Sequence, residues 1–358
     1  MEKPTFGEKF RALLATGRIA NLPTVWSNVI AGFFISYPYL DPHLGNPNGT
    51  SFWVWLLALL TLATSMIYTG GCLLGDVRDI HFDRKHRPNR PLPQGIISIR
   101  FTTLTAWSLL IAGLLTGILS YPISAFASFN HNKGMIQPHV AIITIALVAT
   151  VVSYALTHKK SRLIALPLMA SCRFLLVFLA IATSHISILN QESAGSLVVD
   201  LDWISPWMIL MAGTVGLYTL LLSWVASTES QPGPFTYRKI LAACMLALPV
   251  VPFVIIPLIP SHGQTSTNQP EWGSFSLPAL FPAPHLVAYV TIASLSFAWI
   301  ALALKALQQS KPVFVSRALA GFCLLDAALI AAHSPRAALV CLVLFLFALL
   351  LQRVTPAT

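Results

Sequence analysis

Residues 73–95 read LLGDVRDIHFDRKHRPNRPLPQG, and the purpose of an otherwise apolar chain turns on them. The stretch holds three aspartates, five Lys or Arg residues and two histidines, set between two apolar runs. Asp76, Asp79 and Asp83 are spaced by three and four residues. A helix continuing past Gly75 therefore brings all three carboxylates to one face. Anions at that spacing repel one another and need a cation among them. Carboxylate oxygens suit hard Mg2+, which is commonly held by a few carboxylates together with substrate phosphates and not in an all-protein cage. Arg78, Arg84, Lys85, Arg87 and Arg90 add donors of the kind a diphosphate takes. The plainer alternative is a solvated loop whose charges pair locally and mark one side of a membrane. The order of the residues speaks against it: regularly spaced aspartates come first, then N-R-P-L-P-Q-G, a rigid turn into the next apolar run.

Around this stretch, 56% of residues are hydrophobic, only 9% are charged, and the mean hydropathy is +0.73. Soluble domains carry about a quarter charged residues, so the composition excludes an ordinary water-facing surface. Apolar runs fall near 20–36, 52–74, 101–121, 139–157, 163–186, 204–226, 239–260, 284–306, 314–332 and 337–352. Runs of this length cross the roughly 30 Å hydrocarbon core as helices. The chain reads as an all-α polytopic membrane protein of nine or ten helices, with the segment around Pro335 either a turn or a kink between the last two runs. Residues 1–18 read as an amphipathic segment without a cleavable signal, either a helix on the membrane surface or a frayed tail, 19–353 as one transmembrane domain and 354–358 as a tail.

Positive charge orders the loops. Lys and Arg gather in the N-terminal segment and in the loops after the second, fourth, sixth and eighth runs. Asp41, Glu192, Asp200, Asp202 and Glu271 lie in the opposite loops. By the positive-inside rule the N-terminus and the charged stretch face the cytoplasm, across a plasma or inner membrane. A net charge of +10 sorted in this way is a topology signal and not a nucleic-acid footprint. Five cysteines in apolar segments, with no C-x-x-C pair, read as core residues and support neither a disulfide framework nor a zinc site.

The segment from Gly75 to Ser98 resembles the first aspartate-rich motif of the UbiA superfamily of intramembrane prenyltransferases. That motif has the form N-D-x-x-D-x-x-x-D followed by N-R-P-[IL]-[PS]-x-G-x-[IL]-S. Asp76, Asp79 and Asp83 match its acidic positions, Asn89 to Pro93 with Gly95 and Ser98 match its tail, and Gly75 replaces the usual Asn. The resemblance implies a nine-helix, UbiA-like bundle around a cavity that opens sideways to lipid. It also implies Mg2+-dependent transfer of a prenyl group from its diphosphate to a small-molecule acceptor. Asp76, Asp79 and Asp83 would then be both catalytic and metal-binding residues, with Arg84 and Arg90 on the substrate.

The family's second acidic motif, usually D-x-x-x-D after the sixth helix, is reduced here to one acid, Glu229, the candidate for a second metal position. In V-V-S-Y-A-L-T-H-K-K-S-R, Tyr154 with Lys159 or Lys160 resembles the family's Tyr and basic residue after the fourth helix, the lysines as substrate-binding candidates. Inside-flank cations are the plainer reading of the lysines. Asn21 and Asn28 share a helix face, and Asn28 is the better substrate-site candidate. Arg173 lies about eleven residues past the loop, roughly 16 Å into the membrane, where an arginine must face the interior and find an anion. It is a further substrate-binding candidate, or half of a structural pair with Asp326. Its context M-A-S-C-R, with L-L-D-A at 324–327, is similar to the divergent EboC subgroup of UbiA-like proteins. The second reading of the function is a non-catalytic membrane component, a carrier or a biosynthesis-cluster subunit, that keeps the diphosphate-binding loop. His139, His185 and His285 sit at span ends as interfacial residues.

Overall fold

The computed structural model describes residues 4–35, 49–127, 139–159, 161–184, 206–227, 243–244, 247–248, 283–309, 311–331 and 334–354. The run near 239–260 lies almost wholly outside them, as do Lys160 and Glu229. Among the described residues there are eleven α-helices and no strand: α1 Phe6–Thr16, α2 Leu22–Ile35, α3 Gly49–Arg78, α4 Ile80–His86, α5 Ile99–Ala127, α6 His139–Thr157, α7 Arg162–Ser184, α8 Pro206–Ser227, α9 Ala283–Gln309, α10 Lys311–Ile330 and α11 Pro335–Val354.

Helix α1 starts at a reciprocal cap. The Glu8 N–H donates to Thr5 Oγ1 at 3.3 Å, while Glu8 Oε2 accepts from the Thr5 N–H at 2.8 Å. It stops at Gly17, whose N–H donates to the Leu13 carbonyl at 2.8 Å. A 3₁₀ turn, Ile19–Asn21, then leads into α2. Eight helices, α3 and α5 to α11, are long and apolar enough to cross a membrane, which makes this an integral multi-pass membrane protein. The last two apolar runs are separate helices, not one kinked span. Proline suits a first helical turn, and Pro335 opens α11.

The bundle is organised around α2, which packs against α3, α7, α10 and α11. Its Val25, Val29 and Ala31 are fully enclosed. Helix α10 is almost as deeply set, every residue from Ala327 to Ala331 being buried. The outer helices turn apolar stripes outward, for example Leu104, Ile111 and Leu115 on α5 and Val343, Leu346 and Leu350 on α11. Spacings of three, four and seven put each stripe on one helix face, suited to lipid. A cleft of about 480 Å³ opens between α9 and α11, beside Thr291 and Arg336, and shares no residue with the aspartate-rich stretch.

Candidate functional site

Asp76 lies in the last turn of α3, Asp79 at the joint between α3 and α4, and Asp83 within α4. The joint keeps near-helical geometry at Asp79, with φ −83° and ψ 0°. Asp79 N–H donates to the Gly75 carbonyl at 2.9 Å, Asp83 N–H to the Asp79 carbonyl at 2.9 Å, and Arg87 N–H to the Asp83 carbonyl at 2.8 Å. The helical ladder thus runs through the joint, and the three carboxylates share a face as their spacing implies.

The N-R-P-L-P-Q-G tail folds back over that face. Gln94 N–H reaches the Arg90 carbonyl at 3.1 Å and Ile96 N–H the Pro91 carbonyl at 3.1 Å. The turn closes at Gly95, whose φ of +74° suits glycine best. Leu92 and Ile97 then bury against Ala12 of α1 and Ile80 of α4. Pinned in this way, Arg90 donates from Nη1 to Asp83 Oδ2 at 2.8 Å and lies 3.4 Å from Asp76 Oδ1. Arg18 approaches the same Asp76 oxygen at 3.7 Å. Asp79 faces the end of α6, where His158 Nε2 is 3.1 Å and Lys159 Nζ 3.4 Å from its Oδ2. Lys159 also sits 3.8 Å over the Phe82 ring.

Every carboxylate of the trio is therefore paired with a fixed cation. Burial pushes the Asp79 carboxyl up, but the His158 hydrogen bond and the His158 and Lys159 charges together hold it below its ordinary value. The hydrogen bond to Asp79 raises His158. Both shifts favour the charged form of the pair.

Asp83 is 2% exposed, and its Oδ1 has no hydrogen-bond partner among the described residues. Such an oxygen is expensive to leave unmatched. It is a free hard donor on the face it shares with Asp76 and Asp79, and such a donor suits Mg2+. No three Asp, Glu, His or Cys groups among the described residues converge closely enough to encage an ion. The donor set therefore suits a metal completed by phosphate oxygens rather than a protein cage.

Two expected substrate residues lie elsewhere. Arg173 donates to the Thr24 carbonyl at 3.1 Å, to Thr24 Oγ1 at 3.0 Å and to Asn28 Oδ1. The Asn28 amide donates in turn to both Asp326 oxygens, at 2.9 and 2.8 Å, and Ser27 donates to Oδ2. Asn28 thus stands between guanidinium and carboxylate, and all of these groups are buried. The Phe322 ring lies 4.7 Å from the guanidinium, and Tyr68, two turns along α3 from Asp76, lies at 5.8 Å. Arg84 is exposed and joins none of the aspartate ion pairs. Sequence reasoning missed Arg18, His158, Thr24 and Ser27. His158 had a usable signal, since it follows Tyr154 by one helical turn and adjoins Lys159.

No family model matches the chain. Digeranylgeranylglyceryl phosphate synthase of Methanoculleus marisnigri is 37% identical over 62 residues, 17% of this chain and 22% of that one. The protein of the same name from Sulfolobus acidocaldarius is 34% identical over 109 residues, 30% of this chain and 34% of that one. The matches thus span about a fifth to a third of these relatives' lengths. A structure solved in work on digeranylgeranylglyceryl phosphate synthase in membranes superposes on 92% of this chain and 99% of its own, at 16% identity and a TM-score of 0.47. Relatives from separate organisms share the name digeranylgeranylglyceryl phosphate synthase, and over these partial stretches the chain is similar to them.

Proposed function

We propose that this chain is a membrane transferase that moves a prenyl group from an isoprenoid diphosphate to a small-molecule acceptor, with Mg2+ as cofactor. The observation that carries this reading is the shared face of Asp76, Asp79 and Asp83, ringed by cations and holding, among the described residues, one unmatched buried oxygen. Bound by these carboxylates and the diphosphate, Mg2+ supplies neutralising charge to the leaving group. Arg90 and Lys159 turn donors to the phosphates, Arg84 flanks the same mouth, and Lys160 is a further substrate-binding candidate from the sequence. Glu229 is the candidate for a further metal contact. Asn28 and Arg173 form a polar floor that positions the helices beneath the mouth.

The allylic C–O bond breaks with its electron pair leaving on pyrophosphate. The acceptor's nucleophile forms the new bond to carbon and gives up its proton. The lipid-open cavity that the family resemblance implies would keep water from the cationic carbon. The charged mouth faces the cytoplasm. Within the superfamily, the EboC-like assignment rests on the contexts of Arg173 and Asp326, residues that one buried network joins.

The test uses purified protein in lipid nanodiscs. Geranylgeranyl diphosphate binding is titrated against Mg2+, and pyrophosphate release is then followed as lipid-extract fractions are added. Mg2+-dependent binding that weakens in Asp79→Asn and Asp83→Asn, with pyrophosphate released, is the expected result. Binding indifferent to Mg2+ and to both substitutions overturns the reading. Mg2+-dependent binding without release under any acceptor fraction makes the chain a non-catalytic diphosphate-binding component.

A further inference from the structure

Two guanidinium groups approach Asp76, and they are held in different ways. Arg90 is engaged, with a 2.8 Å hydrogen bond to Asp83. Arg18 lies 3.7 Å from Asp76 Oδ1, too far for a hydrogen bond, and its side chain makes none among the described residues. An arginine carries five N–H donors in a rigid fork that matches phosphate. Those of Arg18 stand beside the aspartate face without an acceptor, on a side chain 38% exposed.

The backbone at this position is unusual as well. Arg18 is the one non-glycine residue with positive φ among the described residues, at φ 51° and ψ 44°. A left-handed residue just after a helix is where glycine is normally found. Gly17, next to it, keeps an ordinary right-handed conformation with φ −71°. Gly17 serves close packing instead: a Cβ there would meet Thr69 Cγ2 at 2.9 Å, on the helix that carries Asp76. Ala12, one turn earlier, packs on Ile80, Leu92 and Ile97, the apolar underside of the aspartate joint and its folded tail. The elbow between α1 and α2 is thus clamped to α3 and α4 on both sides, and its strained residue is the one whose side chain enters the site. Strain held by surrounding structure is characteristic of positions with a task.

We propose that Arg18 is a diphosphate-binding residue, delivered to the mouth of the site by the α1–α2 elbow. Its fork rests near Asp76 and donates to phosphate oxygens of the bound substrate. The proposal rests on the diphosphate reading above and assigns to it a residue outside the aspartate-rich motif. It also gives α1 a role: the helix fixes the elbow while its Phe6 and Phe10 rings, stacked at 6.5 Å, remain exposed.

The probe is inorganic pyrophosphate with Mg2+, titrated by calorimetry into the full chain in nanodiscs, beside geranylgeranyl diphosphate. Arg18→Gly suits the left-handed backbone, so its thermal midpoint should equal or exceed the parent's. Its pyrophosphate affinity should fall by at least about tenfold, the loss of one charge-assisted hydrogen bond. Arg18→Lys should recover part of the affinity. Arg18→Gly binding within twofold of the parent overturns the proposal alone and leaves Arg18 as an ion-pair strut. Parent protein that binds neither diphosphate overturns the diphosphate reading and this proposal together. Should Arg18→Gly fail to fold, Arg18→Lys and Arg18→Gln decide: a graded loss sustains the proposal, and parent-like affinity in Arg18→Gln overturns it.

Discussion

Arg90 serves two carboxylates with one guanidinium, and Asp83 keeps an oxygen with no donor among the described residues even so. Arg90→Gln would leave Asp83, 2% exposed, without its cation. Breaking a partly buried pair from one side costs about 2 kcal/mol or more. We expect Arg90→Gln to lower the thermal midpoint in detergent, and Arg90→Gln with Asp83→Asn to recover part of the loss. A double change that is simply additive would show that the two side chains do not interact. At this scale, spacing alone placed the three aspartates, and the N-R-P-L-P tail pointed to Arg90. Arg18 was not legible, because its position depends on a left-handed backbone and a helix packed from elsewhere in the chain. Before the fold is known it reads as one more flanking cation.

Among the elements, the α2–α7–α10 junction is held by polar contacts where most neighbours use apolar ones. An ionised side chain at the centre of a spanning helix costs about 3 kcal/mol by insertion measurements. Arg173 and Asp326 offset that cost only together, through the Asn28 amide. Arg173→Gln and Asp326→Asn should each destabilise the detergent-solubilised protein by about 3–5 kcal/mol. The double variant should lose clearly less than the sum. In the folded fraction of Arg173→Gln, pyrophosphate affinity should stay within about threefold of the parent, which marks a strut. A loss of tenfold or more at unchanged stability would move Arg173 into the phosphate site. Hydropathy anticipated these helices well: the run at 139–157 coincides with α6, and Pro335 separates α10 from α11. The membrane depth of Arg173 had pointed to Asp326 as a structural partner, but not to the Asn28 amide between them, because partners on three different helices leave no periodic trace along the chain.

For the whole molecule, the distribution of charge predicts an orientation with the charged stretch on the cytoplasmic side. His86 is exposed on α4, beside Arg84, Lys85 and Arg87. In a background with the native cysteines replaced, His86→Cys should resist an impermeant thiol reagent in sealed cells and react after permeabilisation. Labelling in sealed cells would invert the topology. The contacts of Ser27 and Asn28 with Asp326 also set an order of events during manufacture of the chain. Asn28 and its acceptor are 298 residues apart, so the ribosome works for about 15–60 s between them. Through that interval α2, with 14 residues and buried Thr24, Ser27 and Asn28, has no completed partner for its amide. Assembly of the bundle must therefore finish with α2 waiting for α10. Chains halted before residue 311 should leave α2 loosely held and open to protease, and chains extended through α10 should close it.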